Sequence, residues 1–134
     1  VVYRKLLEKE AGKNCRIHFV GWLDSKFIYK YFAIADIAVF PASQSILWQQ
    51  AISMGLPLIV GDTGGQSIQY LNLYDNIVIL EADEIHSDVI KSKIETVLFN
   101  PETLSEMSKN AMRVTSESLD WNHLIGRTLR FNAK

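Results

Sequence analysis

Ile37-Ala38-Val39-Phe40-Pro41-Ala42-Ser43-Gln44-Ser45-Ile46-Leu47-Trp48-Gln49-Gln50-Ala51-Ile52-Ser53-Met54-Gly55-Leu56-Pro57-Leu58-Ile59-Val60 is the stretch that decides the fold. It opens on a short apolar run, 37–40, which reads as a strand buried on both faces. Pro41 ends the run. Ser43 or Ser45 can cap a helix that places Leu47, Trp48, Ala51 and Ile52 on one face. Gly55 stops that helix, Pro57 forbids its return, and a second apolar run follows at 57–60. Strand, helix and strand in this order form a βαβ unit with parallel strands.

Reading outward, the same rhythm recurs about every 20 residues, with further strands expected near 17–20 and 77–80. Between the first two, Asp24 can cap a helix burying Phe27, Ile28, Tyr31, Phe32 and Ala35. Thr63-Gly64-Gly65 precedes a shorter helix with Ile68 and Leu71. From 87 to 131 the pattern is all helical. Ile90, Ile94, Val97 and Leu98 form one stripe, and Asn100-Pro101-Glu102 starts a helix carrying Leu104, Met107, Ala111 and Val114. Asp120 caps a last helix with Trp121, Leu124, Ile125 and Leu129. The expected fold is therefore α/β: a Rossmann-like parallel sheet of about four strands, flanked by helices, with an all-helical C-terminal segment.

The 134 residues allow one domain. That domain, 1–134, reads as partial, because it opens on a helix (Val1–Ala11) where a doubly wound domain opens on a strand. The first residue is Val1 and not methionine, which leads us to expect a segment upstream. Composition is ordinary for a globular chain: 48% hydrophobic and 22% charged, with a formal net charge of −1. That balance excludes a disordered tail and the basic footprint of a dedicated nucleic-acid binder, so no nucleic-acid partner is expected. Cys15, the single cysteine, cannot close an intrachain disulfide. No apolar run approaches the roughly 20 residues that span a bilayer, and Phe32–Ala42 is interrupted by Asp36 and Pro41. A cytoplasmic location is the expectation.

Ligands bind open parallel sheets at the carboxyl ends of the strands. Those ends are Gly21-Trp22, Pro41 to Ile46, Gly61 to Gly65 and Glu81-Ala82-Asp83, all expected to face one crevice. Around Ser45, Ile46 and Leu47, the open N–H groups of a helix start carry roughly half a positive charge and suit a phosphate. The same serines, Ser43 and Ser45, serve equally well as plain helix caps. Gln49 and Gln50 lie one turn further on, where an amide can meet a ribose or sugar hydroxyl or simply be solvated. Gly64 and Gly65 either allow close backbone approach or simply make a tight turn, and Trp22 either offers a stacking surface for a base or packs in the core or rim. His18, His86 and His123 share no metal-ligand spacing, so no metal is expected. No nucleophile elbow, Walker loop or Gly-x-Gly-x-x-Gly is present, and no catalytic residue is assigned.

The ordered string as a whole resembles a known family. Ile17-His18-Phe19-Val20-Gly21-Trp22, Tyr31 to Pro41, Gln50-Ala51-Ile52-Ser53-Met54-Gly55-Leu56-Pro57, Gly64-Gly65 and Asp120-Trp121 are similar to the donor-binding C-terminal half of GT-B type nucleotide-sugar glycosyltransferases. The nearest likeness is to the large retaining family, glycosyl transferases group 1, that builds capsule and lipopolysaccharide. The resemblance implies that Ser45, Ile46 and Leu47 meet the donor diphosphate, and Gly21 and Trp22 the base. It implies that Ser43, Gln44, Gln49, Gln50, Gly64 and Gly65 meet the ribose or sugar. The family's paired glutamates fall at Ala42 and Gln50, or in a Ser-x-x-Trp-Glu-Gln-Ala variant at Gln49, so amides or alanine stand where carboxylates are expected. An amide accepts a hydroxyl hydrogen bond without the charge-assisted strength.

The activity implied is transfer of a hexosyl-type sugar to an acceptor hydroxyl in polysaccharide synthesis. No cofactor is needed, and the substrate is a UDP-, GDP- or ADP-sugar. The missing N-terminal acceptor domain is the implied partner, and the isolated chain is expected to be inactive. The family likeness is compatible with peripheral association at the inner face of a membrane, and exposed sheet edges offer a route to self-association. The alternative is a degenerate, non-catalytic α/β module that binds a nucleotide or a partner.

Overall fold

The computed structural model describes residues 2–12, 14–41, 45–65 and 67–131. Its centre is a three-stranded parallel sheet in the order β1-β2-β3, with β1 at Ala38–Phe40, β2 at Leu58–Gly61 and β3 at Ile77–Leu80. The register aligns Ala38 with Leu58 and Leu58 with Ile77. All of β2 is buried, as a continuous apolar run in the middle of a parallel sheet requires. Helix α1 spans Val2–Ala11, α2 Ser25–Phe32, α3 Leu47–Ser53, α4 Ser87–Leu98, α5 Pro101–Val114 and α6 Trp121–Phe131. A π-helical turn, Thr115–Leu119, joins the last two.

The caps read from the sequence are in place. Asp24 accepts from the Lys26 N–H and Asn100 from the Thr103 N–H. Asp120 takes the N–H groups of both Asn122 and His123. Gly55 ends α3 with φ of 76°, a backbone state that side chains disfavour. The core gathers Trp48, Ala51 and Ile52 of α3 against Leu58 and Val60 of β2, with Ile68, Leu71, Ile77, Ala111 and Val114. Two hydroxyls lock α5 onto the end of α3: Ser108 donates to the Gly55 carbonyl at 2.7 Å, and Thr115 to the Ile52 carbonyl at 3.1 Å. A surface clamp adds to this, with Arg113 stacked on the Tyr74 ring at 3.8 Å. Glu117 accepts from both Arg113 and the Tyr74 hydroxyl.

The structure corrects three expectations. Residues 17–20 form no strand, so the sheet has three strands and not four. An apolar run becomes a strand only when a neighbour completes its ladder, and among the described residues nothing pairs with Ile17–Val20, whose large side chains stay 39–47% exposed. Phe27 and Tyr31 are not core. They line a shallow groove of about 360 Å³ with Leu23, Lys30 and Ile34, while Phe32 alone on α2 is buried. The segment after Gly65 condenses to a 3₁₀ turn at Gln69–Leu71, which still seats Leu71 and its neighbour Ile68 in the core. No helix among the described residues is long and apolar enough to cross a membrane.

Candidate functional site

A cleft of about 870 Å³ opens between the start of α2 and the start of α3. One wall runs from Gly21 to Ser25 and includes Ile28; the other carries Ser45, Ile46, Leu47 and Gln50. The volume lies within the range of small-molecule sites. Gly21 reverses the chain at φ of 71°, and Trp22 follows it with its side chain 99% exposed. An indole left fully in water is a stacking surface without an intramolecular partner. Across the cleft, the Oε1 atom of Gln50 is buried without a hydrogen-bond partner among the described residues. A buried acceptor in that state costs about 1–3 kcal/mol until a donor reaches it.

The helix start is partly self-satisfied. The Ser45 hydroxyl accepts from the Leu47 N–H at 3.1 Å, and the Ser45 carbonyl accepts from the Trp48 N–H at 3.1 Å. The expectation of an open N–H at Leu47 is therefore corrected: the cap reading of Ser45 holds here, and a ligand must displace that hydroxyl to reach Leu47.

Of the residues singled out from the sequence, Gly21, Trp22, Ser45, Ile46, Leu47 and Gln50 converge on this one cleft. Ser43 and Gln44 lie outside the described residues, as does Ala42. Gln49 is not part of the cleft lining, since its Nε2 donates to the Tyr70 hydroxyl at 3.1 Å. Gly65 borders a separate tight hollow with Asp62, Thr63 and the buried Trp48, whose Nε1 has no partner among the described residues. Gly64 has its N–H taken by the Asp62 carboxylate at 2.8 Å. At the end of β3, Glu81 and Glu84 close a reciprocal capping box on each other. The expected single crevice is thus two separate features, and the β1 and β2 ends lie in close contact. A Cβ on Gly61 would stand 1.9 Å from the Pro41 carbonyl oxygen.

Asp24 was legible only as a helix cap, yet it lines the cleft beside Trp22 and is the one ionisable side chain among the described lining residues. Its position two residues after an exposed tryptophan was the available signal. Among the described residues no group of three His, Cys, Asp or Glu side chains could hold a metal ion.

Comparison with known proteins follows the same line. The family model described as glycosyl transferases group 1 matches residues 2–114. No curated protein sequence matches the chain. The structure is similar to that of sucrose-phosphate synthase from Thermosynechococcus elongatus, with a TM-score of 0.75 at 19% sequence identity. That match covers 99% of this chain and 35% of the other, so the chain spans about a third of that protein's length. At this identity the likeness shows the fold, an α/β fragment of GT-B type.

Proposed function

The chain belongs to the glycosyl transferases group 1 family, and from that premise we propose that it is the donor-binding part of a glycosyltransferase. In this reading the cleft between α2 and α3 holds a nucleotide-diphosphate sugar while an acceptor hydroxyl attacks the anomeric carbon. The bond from that carbon to the diphosphate oxygen breaks, and the nucleoside diphosphate leaves. The observation that carries the proposal is that the exposed Trp22 and Gln50, whose Oε1 has no hydrogen-bond partner among the described residues, line one cleft of ligand size. Trp22 would stack on the base and Gln50 accept from a ribose hydroxyl. Ser45 and Ile46 would present the first turn of α3 to the diphosphate, whose negative charge the helix start favours. Ser43 and Gln44 are proposed as sugar contacts on the family resemblance alone. Retention of configuration, a hexosyl donor and a role in capsule or lipopolysaccharide synthesis complete the proposal, which rests on family membership. The described cleft carries no cation to neutralise a diphosphate, so turnover is proposed to need the acceptor domain and the rest of a longer enzyme.

One observation favours a second reading, a non-catalytic nucleotide- or partner-binding module. Neither Gln49 nor Gln50 supplies a carboxylate, and Gln49 is tied to Tyr70. Calorimetric titration of the full-length protein with nucleoside diphosphates and their sugars, followed by assay for donor hydrolysis or transfer, tests both. The donor-site reading expects binding that Gln50→Ala weakens about fivefold, the worth of one neutral hydrogen bond of about 1 kcal/mol. Binding without any hydrolysis or transfer favours the second reading. No binding, or Gln50→Ala without effect, refutes the cleft as the nucleotide site.

A further inference from the structure

We propose that Asp24 selects guanine as the base of the nucleotide in this cleft, an inference that rests on the donor-binding reading above. Trp22 and Asp24 stand two residues apart on one wall, opposite Gln50. In this reading a base lying on the Trp22 indole meets the Asp24 carboxylate along the same wall, and its ribose lies toward Gln50. Asp24 is only loosely held. Its Oδ1 accepts from the Lys26 N–H at 3.3 Å and the Ser25 hydroxyl at 3.4 Å, both long bonds. Its Oδ2 lies 3.6 Å from the Lys26 ammonium, in a pair whose side chains are 69% and 56% exposed. That ammonium also sits 5.1 Å from the Phe27 ring centroid. An exposed pair of this kind contributes little and gives way to a better partner.

A carboxylate only accepts, and its two oxygens match two donors set side by side. Guanine presents N1–H and the N2 amine adjacent to each other. Uracil places its N3–H between two carbonyl oxygens, which would face the carboxylate lone pair to lone pair. Adenine and cytosine each set an unprotonated ring nitrogen beside the amine, so one of the two bonds becomes a repulsion. No Lys or Arg is among the described lining residues, and the Lys26 ammonium, 3.6 Å from Asp24 Oδ2, is the cation that guanine must displace.

The test titrates the full-length protein and its Asp24→Asn variant with GDP, UDP, ADP, CDP and XDP by calorimetry. Asparagine caps helices as well as aspartate, so α2 keeps its start, and a thermal melt checks this. GDP is expected to bind about tenfold or more tighter than UDP, ADP or CDP, the worth of a charge-assisted hydrogen bond. In D24N that preference collapses and XDP gains, because its C2 carbonyl faces the new carboxamide N–H. A different base binding as tightly as GDP, or a D24N variant that still prefers GDP, overturns the guanine assignment and leaves the nucleotide site standing. Failure of every nucleotide to bind overturns both.

Discussion

Replacing Gly61 by alanine tests the close packing of the β1 and β2 ends. The added Cβ would sit 1.9 Å from the Pro41 carbonyl oxygen and 2.7 Å from the Ile85 Cδ1 methyl. Real Cβ atoms stay beyond 3.0 Å, so the ends of β1 and β2 must part by roughly 1 Å. The Ile85 methyl can swing aside, but the Pro41 oxygen is backbone and cannot. It follows Phe40, whose pairing with Val60 sets the strand register. Overpacking against backbone falls at the upper end of the usual range, about 3 kcal/mol. For a chain of 134 residues that corresponds to a Tm lower by about 10 °C. The assay is thermal unfolding followed by circular dichroism, with urea unfolding as a second measure. Because Pro41 leads toward α3, the variant should also bind nucleotide less well. A G61A protein that melts within about 2 °C of the parent would refute the close approach of the two strand ends.

Two further predictions follow from the cap and the surface clamp. Ser45→Ala removes the acceptor of the Leu47 N–H and should cost about 1 kcal/mol in urea unfolding, while Ser45→Thr keeps most of it. Equal stability of the two variants would show that the cap is not formed. In the clamp, hydrogen bonds from Arg113 and then from Tyr74 hold the Glu117 carboxyl below its ordinary range. Its contribution is therefore present above the ordinary carboxylate pKa and is lost as pH falls through the lowered folded value. Donating that bond to Glu117 raises the Tyr74 hydroxyl, so that part is lost as pH rises through the raised tyrosine value. Glu117→Gln should flatten the acid limb of the Tm-versus-pH curve, and an unchanged limb would contradict the clamp.

Much of this was open to reading in one dimension. Proline and glycine at Pro41, Gly55 and Pro57 leave few options for the chain between β1 and β2, because each restricts backbone geometry locally. Caps such as Asp24, Asn100 and Asp120 need only partners two or three residues away. The 17–20 run was misread because apolar content says a segment wants burial, whereas a strand requires a neighbour. The site was half legible for a similar reason. Helical spacing places Gln49 and Gln50 side by side, and nothing local says which one enters the cleft. Tyr70, 21 residues along the chain, takes Gln49 and leaves Gln50.

From its sequence alone, then, this protein's parallel α/β layering, its helix starts and stops and its family were determined, since each rests on short-range chemistry repeated along the chain. Tertiary structure alone decided that the Gly21-Trp22 turn and the start of α3 share a cleft while the ends of β2 and β3 stay out of it, that Asp24 enters it beside Trp22, and that the Leu47 amide is already taken. Those outcomes depend on which distant surfaces touch, as where the Pro41 carbonyl meets Gly61 at the neighbouring strand end.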